Sequence, residues 1–172
     1  ALSSKDMRPR HWQQLMQITG VQLNLAEDVF KLQHLMDANL LKVSEDIEDL
    51  TTAATKETQV ETKLAAINDD WADQIFEFGN YKTRGMLVLA MAPTAEVIEK
   101  LEDSQMALGS MATNRYSAPF KDEVTTWITK LSTVSEIIEM WLIVQNMWMY
   151  MEAVFSGGDI VKQLPQEAKR FQ

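Results

Sequence analysis

The 172-residue sequence contains no cysteine and is poor in histidine, proline and glycine, with 2, 4 and 6 residues respectively. The absence of cysteine excludes both a disulfide framework and a thiolate metal site, on which many small secreted modules depend. We therefore expect a protein of a reducing, intracellular compartment. Hydrophobic residue types make up 46% of the chain and charged types 24%, a composition typical of a globular protein.

Clustered positive charge and long apolar runs are also missing. The net charge is −9, whereas a nucleic-acid surface needs clustered Lys and Arg to neutralise phosphates. The most apolar stretch, residues 140–151, contains Gln145 and Asn146 and is shorter than the roughly 20 residues that cross a bilayer. Helices that bind a membrane surface carry a basic polar face, and the polar faces here are acidic. We therefore predict that neither nucleic acid nor a membrane is a partner.

The motifs of common active sites are absent as well. No glycine begins the Gly-x-x-x-x-Gly-Lys-Ser/Thr loop that binds phosphates, and Asp159 directly after Gly157-Gly158 would repel an anion. His11 and His34 stand apart from the His and Glu neighbours that zinc sites and di-iron bundles use. A packed or capping role at a helix start is the better interpretation of His11. We predict no catalytic, cofactor or metal site in this chain.

Apolar residues that recur every three or four positions predict helices in the first half of the chain. One short amphipathic helix covers residues 11–19 and is closed by a glycine. A second short apolar group at 29–36 leads into a long pattern at 40–75, whose opposite face is acidic. This pattern predicts one long helix, or two nearly continuous helices that meet near residues 55–58.

The apolar pattern changes to alternation between residues 76 and 90, where Phe76 and Phe78 alternate with polar residues and turn residues surround Gly85. Alternation with such turn signals predicts a β-hairpin. Thr94 is then predicted as the N-cap of another helix. This helix fades between residues 110 and 117.

The last long helix is predicted to start at Pro119, to end at Gly157-Gly158, and to be followed by a turn capped by Asp159 and a final helix that begins at Pro165. Two stripes run along the long helix, so we expect both of its sides to be buried. The first stripe comprises Val124, Trp127, Leu131, Val134, Ile138, Trp141, Gln145, Trp148, Glu152 and Phe155. The second comprises Ile137, Val144, Met147, Met151 and Val154.

These patterns together predict a mainly α fold, an elongated bundle of long helices with one small β-hairpin near residues 76–90. We expect one domain, or two small subdomains, over residues 1–172, with N-terminal helices at 1–75, the hairpin at 76–92 and C-terminal helices at 94–172. The sequence starts without an initiator Met and stops within a helical pattern, so we interpret it as an excised piece of a longer protein.

Several motifs resemble the dynein heavy-chain family. The helix at 141–148 is similar to the family's Trp-x-x-Val-Gln-x-x-Trp helix, which leads into Asp-Ile and Gln-Leu-Pro, found here at 159–160 and 163–165. Arg-His-Trp at 10–12 matches an upstream helix of the same family. The residues that carry the match are His11, Trp12, Trp127, Trp141, Gln145, Trp148, Tyr150, Glu152, Phe155, Asp159, Gln163, Leu164 and Pro165.

The segments at 108–110, 114–116, 119–121 and 152–160 look closest to the gamma-type outer-arm heavy chains of cilia and flagella. Met151 departs from the pattern, because Leu is usual there, but it keeps the apolar character. The resemblance therefore implies a place in the cytoskeleton of the ciliary or flagellar axoneme.

The resemblance implies that the chain is the N-terminal part of the linker, an arched helical element that crosses the ring of AAA+ modules and joins it to the tail. Its function would be that of a non-catalytic lever, which transmits ATP-driven changes of the ring to the tail. ATP and Mg would act in the ring, outside this chain. The implied partners are the AAA+ ring and the remaining linker of the same heavy chain, and other outer-arm subunits. Tyr81, Lys82 and Arg84 of the hairpin are expected to contact the ring.

A passive interaction scaffold, such as a spectrin-like or coiled-coil adaptor, is the alternative from another functional class. Heptad continuity would favour it, whereas the hairpin and the expected two-sided burial of the last helix disfavour a simple coiled coil. A helical-bundle enzyme would need ligands or nucleophiles that the sequence does not offer.

Overall fold

The computed structural model describes residues 2, 4–24, 33 and 40–171. The described chain is mainly α-helical with one two-stranded antiparallel sheet, which confirms the predicted fold class. His34 and, apart from Gln33, the apolar group at 29–36 lie outside the described residues. None of the described helices combines the length and the apolarity that a bilayer span requires.

The helices of the first half agree with the predicted pattern. Helix α1 covers Pro9–Thr19 and ends at Gly20, whose φ of 70° is a left-handed conformation that glycine adopts without strain. A 3₁₀ helix at Leu40–Val43 leads into α2, Ser44–Ala72. Helix α2 is continuous through residues 55–58, because no Gly or Pro interrupts it.

The predicted hairpin is confirmed. Strand β1, Phe78–Asn80, pairs with β2, Met86–Leu89, in an antiparallel register that places Phe78 opposite Leu89. The register shifts between Gly79 and Asn80, as a β-bulge does.

The remaining helices begin at slightly different residues from those predicted. Helix α3 covers Met91–Ala112, so Thr94 lies inside the helix and is not its N-cap. The Thr94 N–H donates to the Ala90 carbonyl at 3.0 Å, so the helical hydrogen bonds begin upstream of Thr94. A 3₁₀ helix at Arg115–Phe120 contains Pro119, so α4, Lys121–Phe155, begins after this proline and not at it.

Two short helices follow α4. Helix α5 covers Gly158–Gln163, with Asp159 in its first turn. Helix α6 covers Pro165–Phe171 and begins at the proline, as predicted.

The described residues form two compact units. Unit 1 comprises Ala1–Ala72 and Ser110–Val124, and unit 2 comprises Asp73–Gly109 and Thr125–Gln172. In unit 1, α1 packs on α2 around an apolar cluster. Its buried members are Met7, Leu15, Leu23, Ile47, Leu50 and Ala54, and Leu2, Trp12, Met16, Val21, Leu40 and Val43 pack against them.

Burial along α4 confirms the first predicted stripe and corrects the second. Buried positions of the first stripe include Leu131, Ile138 and Gln145, while Trp141 is 47% exposed. In the second stripe, Ile137, Val144, Met147 and Met151 are exposed and Val154 is half-buried. The prediction that both sides of this helix are buried is wrong for the described chain, because none of its elements covers the second side.

Candidate functional site

The hairpin loop of unit 2 is fastened to α4 through one carboxylate, that of Glu152. Lys82 Nζ donates to its Oε2, and the Tyr81 hydroxyl lies 3.2 Å from the same oxygen. Arg84 Nε at 3.4 Å and the Ser156 hydroxyl at 2.9 Å donate to Oε1. Glu152 is buried, and four donors therefore satisfy a charge that burial alone would disfavour.

The backbone of the loop turns these side chains toward α4. Lys82 has a φ of 50° and Gly85 a φ of 89°, both in the left-handed region. The Tyr81 N–H donates to the Gly85 carbonyl at 2.9 Å, and the Arg84 N–H donates to the Tyr81 carbonyl at 3.0 Å. A left-handed conformation costs a residue with a side chain about 1 to 2 kcal/mol, and Lys82 adopts it while its ammonium binds Glu152.

The protonation states of this pair follow from their contact. The hydrogen bond from Lys82 lowers the pKa of Glu152 from 4.5 to about 2; burial opposes the shift, and the Ser156 hydroxyl adds to it. The same hydrogen bond raises the pKa of Lys82. Both groups are therefore charged at neutral pH.

A second polar contact joins α4 to strand β2. The Leu89 backbone N–H donates to Gln145 Oε1 at 2.7 Å. Gln145 is buried, and this hydrogen bond accounts for a polar side chain at a core position. Gln145 therefore also occupies one backbone donor of β2.

Aromatic rings surround the Glu152 contact. The rings of Trp148 and Tyr81 pack edge to face with their centres 5.2 Å apart. Trp148 also stacks on Phe171 of α6, and these ring centres are 6.3 Å apart. The Arg84 guanidinium lies 5.8 Å from the Trp148 ring centre, and Phe155 stacks on Phe171 at 5.6 Å. These contacts hold the hairpin loop and α6 against the same part of α4.

A groove lies between β2 and α4, with a volume of about 480 Å³. We call it the apolar groove. It carries no charged side chain, and its one polar lining residue is Gln145. The lining residues are Leu87, Val88, Ile137, Met140, Trp141, Val144, Gln145 and Trp148.

In unit 1, a second carboxylate fastens α1 to α2. Arg10 binds Glu57 Oε2 through two nitrogens at 2.6 and 2.7 Å, and His11 Nε2 lies 2.9 Å from the same oxygen. The Arg8 backbone N–H donates to His11 Nδ1 at 3.0 Å, closing a capping box at the start of α1. Since Nδ1 is the acceptor, the ring proton is on Nε2 and points at Glu57. His11 is buried, so the packed and capping interpretation is confirmed.

The other aromatic residues of the family motif are dispersed over the structure. Trp12 packs against the apolar cluster of unit 1. In unit 2, Trp127 is half-buried beneath the Lys130 ammonium, which lies 5.2 Å from its ring centre. Trp141 contacts Phe78 at 6.1 Å. Tyr150 is exposed on α4.

The C-terminal residues of the motif lie at the ends of α5 and α6. Asp159 is exposed in the first turn of α5, 3.9 Å from Lys162. Gln163 ends α5, Leu164 connects the two helices, and Pro165 begins α6. The structure thus brings Tyr81, Lys82, Arg84, Gln145, Trp148, Glu152 and Phe155 together, whereas His11 and Trp12 belong to unit 1. The roles that the resemblance gives these residues stay predictions.

Three partners in these contacts were not predicted from the sequence. Glu57 stands 46 positions from His11, and Phe171 and Ser156 are outside the motif. No local sequence pattern marks the contacts of Glu57 and Phe171, which only tertiary packing creates, whereas Ser156 lies just four residues after Glu152. A carboxylate that already accepts from several donors, such as Glu57 or Glu152, holds elements together and is poorly placed to act as a general base. Over the residues that the structure describes, no three acidic or histidine side chains group as a metal site would require.

The family model described as "Dynein heavy chain, N-terminal region 2" matches residues 1–172. The chain belongs to the dynein heavy-chain family. The match confirms the resemblance of the motif residues to this family.

Relatives refine the place of this dynein chain within the family. It is 66% identical over 171 residues to the dynein gamma chain of the flagellar outer arm of Chlamydomonas reinhardtii, and 48% identical over 171 residues to human dynein axonemal heavy chain 8. Each match covers 99% of this chain and 4% of the relative. Identity to the alpha chain of the same algal outer arm is 36%, over 99% of this chain and 4% of that relative. The gamma-type assignment is thus supported, and these names point to the axoneme of cilia and flagella.

Proposed function

We propose that this N-terminal region of an axonemal dynein heavy chain is a lever segment of the linker, which transmits conformational changes of the ATPase ring to the tail. The observation that supports this proposal most is helix α4. It runs for 35 residues without a break, a length of about 50 Å at 1.5 Å per residue.

The hairpin braces α4 at two points on one face. Gln145 and Glu152 are seven residues apart, two helical turns, so both point toward the hairpin. Bending the helix between them would stretch the Leu89–Gln145 hydrogen bond or the Lys82–Glu152 ion pair. The aromatic contacts of Trp148 add a third constraint beside Glu152. A braced helix of this kind suits the transmission of force.

ATP and Mg act, in this proposal, in the AAA+ ring of the parent chain, which makes that chain a microtubule motor ATPase. The proposed partners are that ring, the rest of the linker and other outer-arm subunits. The proposed ring contact of the hairpin loop would use the exposed parts of Lys82 and Arg84, whose side chains are 50% and 33% exposed while they bind Glu152.

A passive helical scaffold is the second candidate. The exposed apolar side of α4 favours it, because a surface of this kind binds partner helices whether or not force is transmitted. The two candidates differ in what happens when α4 is weakened inside a working motor.

The test is Val144→Pro in the complete motor. Proline in a helix interior removes a backbone donor and clashes with the carbonyl four residues earlier, which costs about 3 kcal/mol or more and kinks the helix. We expect basal ATPase activity to persist while microtubule gliding slows severely. Val144→Ala keeps the helix and should have a much milder effect. A proline variant that folds, hydrolyses ATP and glides at normal speed would replace the lever with the scaffold.

A further inference from the structure

An exposed apolar stripe on α4 continues the apolar groove along the helix. Ile137, Met140, Val144 and Met147 are 57%, 66%, 60% and 64% exposed, and Met151 is 39% exposed. The steps between these five residues are three, four, three and four. Contiguous exposed apolar surface of this kind marks an interaction site. We call these five residues the exposed stripe.

The spacing of the exposed stripe points to a helix as its occupant. Steps of three and four give the 3.5-residue period of the seam between two packed helices. Trp141 and Trp148 lie beside the stripe and also line the groove, so the stripe and the groove form one surface. A β-strand is disfavoured, because the Leu89 N–H at the nearby edge of β2 is already bound by Gln145.

The position of α6 identifies the source of that helix. Phe171 stacks on Trp148, a lining residue of the apolar groove, so the polypeptide at the end of α6 lies at the rim of the groove. The relatives are far longer than this chain, which covers 4% of their length. A helix that follows α6 after a short connection would reach the groove at a small loop-closure cost and a high effective concentration.

We propose that the apolar groove and the exposed stripe bind an amphipathic helix of the same heavy chain that lies C-terminal to Phe171. Glu136 and Glu139 are exposed beside the N-terminal end of the stripe, so this helix should carry Lys or Arg opposite them and apolar residues at heptad spacing. This proposal rests on the proposed function in one respect, namely that the rest of the heavy chain lies next to this segment.

The first test is cysteine labelling in the complete heavy chain. Met140→Cys places a thiol in the groove, and Met106→Cys places one at a methionine of α3 that is 73% exposed and does not line it. Mass spectrometry of the labelled peptides separates these thiols from other cysteines. We expect the groove thiol to react with a maleimide at least about tenfold more slowly in the native chain, because it reacts only when the helix opens. After denaturation the two rates should be equal. Val144→Cys repeats the measurement at a second groove position.

The second test identifies the occupant by a photoreactive amino acid at position 144. The expected crosslink joins this position to a peptide C-terminal to Phe171 within one heavy chain. Equal native labelling of the two thiols, or a crosslink to another polypeptide, to a second heavy chain or to a small molecule, would overturn the proposal. Protection of the groove thiol with normal gliding of the Val144→Pro motor would reject the lever and keep the docked helix. Loss of gliding in the Val144→Pro motor, together with an unprotected groove thiol, would keep the lever and reject the docked helix.

Discussion

The α1–α2 junction of unit 1 and the hairpin–α4 junction of unit 2 each fix a small element to a long helix through one carboxylate. Glu57 accepts from Arg10 and His11, and Glu152 accepts from Lys82 and Arg84 among others. The apolar surroundings of the two carboxylates differ. The α1–α2 junction contains a closed cluster around Leu15, which is fully buried, whereas the hairpin–α4 junction borders an exposed stripe.

The apolar residues of the unit 1 cluster are packed within this chain, whereas those of the exposed stripe are open to solvent. The cluster of unit 1 already removes its large side chains from water, so its hydrophobic free energy is gained within this chain. The exposed stripe of α4 gains such free energy only when another element covers it. Similar carboxylate contacts therefore lie beside a buried apolar cluster in unit 1 and beside an exposed apolar surface in unit 2.

The largest effect is expected from Leu15→Ala in the closed cluster. Removing a fully buried leucine side chain leaves a cavity and should lower the free energy of unfolding by about 2 to 5 kcal/mol. Leu41→Ala is the matched control, since Leu41 is an exposed leucine of the same unit, and its effect should stay within about 0.5 kcal/mol. Urea denaturation of both variants measures the difference. Equal midpoints would mean that the cluster is not the core of unit 1.

The sequence was sufficient to predict elements whose residues repeat locally. Helix α2 and the buried side of α4 follow from apolar spacing, and the hairpin follows from alternation beside Gly85. The position of Pro165 at the start of α6 follows from the fixed φ of proline. Each of these predictions depends on neighbours within a few residues.

The errors arose where burial depends on an element far along the chain. The spacing of Ile137, Val144 and Met147 predicts a stripe, but spacing does not say whether the partner is present. The partnership of His11 with Glu57 had no local signal either, because the two residues meet only when α1 packs on α2. Thr94 had the right residue type for a cap, yet the helix starts earlier, at Met91.

A smaller effect, seen in the pH dependence of stability, is expected from the contact between Lys82 and Glu152. The hydrogen bond from Lys82 holds the pKa of Glu152 at about 2 instead of 4.5. The unfolded chain therefore binds this proton at higher pH than the folded chain does, and stability rises with pH between these two values. The contribution of Glu152 is present above about pH 4.5 and is lost as pH falls through about 2.

Glu152→Gln tests this linkage. We expect wild type to be more stable than the variant at neutral pH, and the difference to shrink as the pH falls from about 5 toward 2, measured by denaturant unfolding at several pH values. Glu139→Gln, at an exposed glutamate of the same helix, is the matched control for removing one negative charge from α4. A difference between wild type and Glu152→Gln that stays constant down to about pH 2 would show that the carboxylate does not bind Lys82 in solution.

The smallest effect is expected from Met147→Lys on the exposed stripe of the 172-residue chain. Met147 is 64% exposed, and Met and Lys have nearly equal helix propensities, so the free energy of unfolding should change by no more than about 0.5 kcal/mol. A loss above about 2 kcal/mol would place Met147 in a closed core like that of Leu15. In the complete heavy chain the same lysine would lose its hydration beneath the proposed helix, which disfavours docking. Combined there with Met140→Cys, it should therefore raise the labelling rate at position 140 toward that of Met106→Cys. A substitution that is nearly silent in the short chain and opens the groove in the long one would show that the stripe is completed by the rest of the heavy chain.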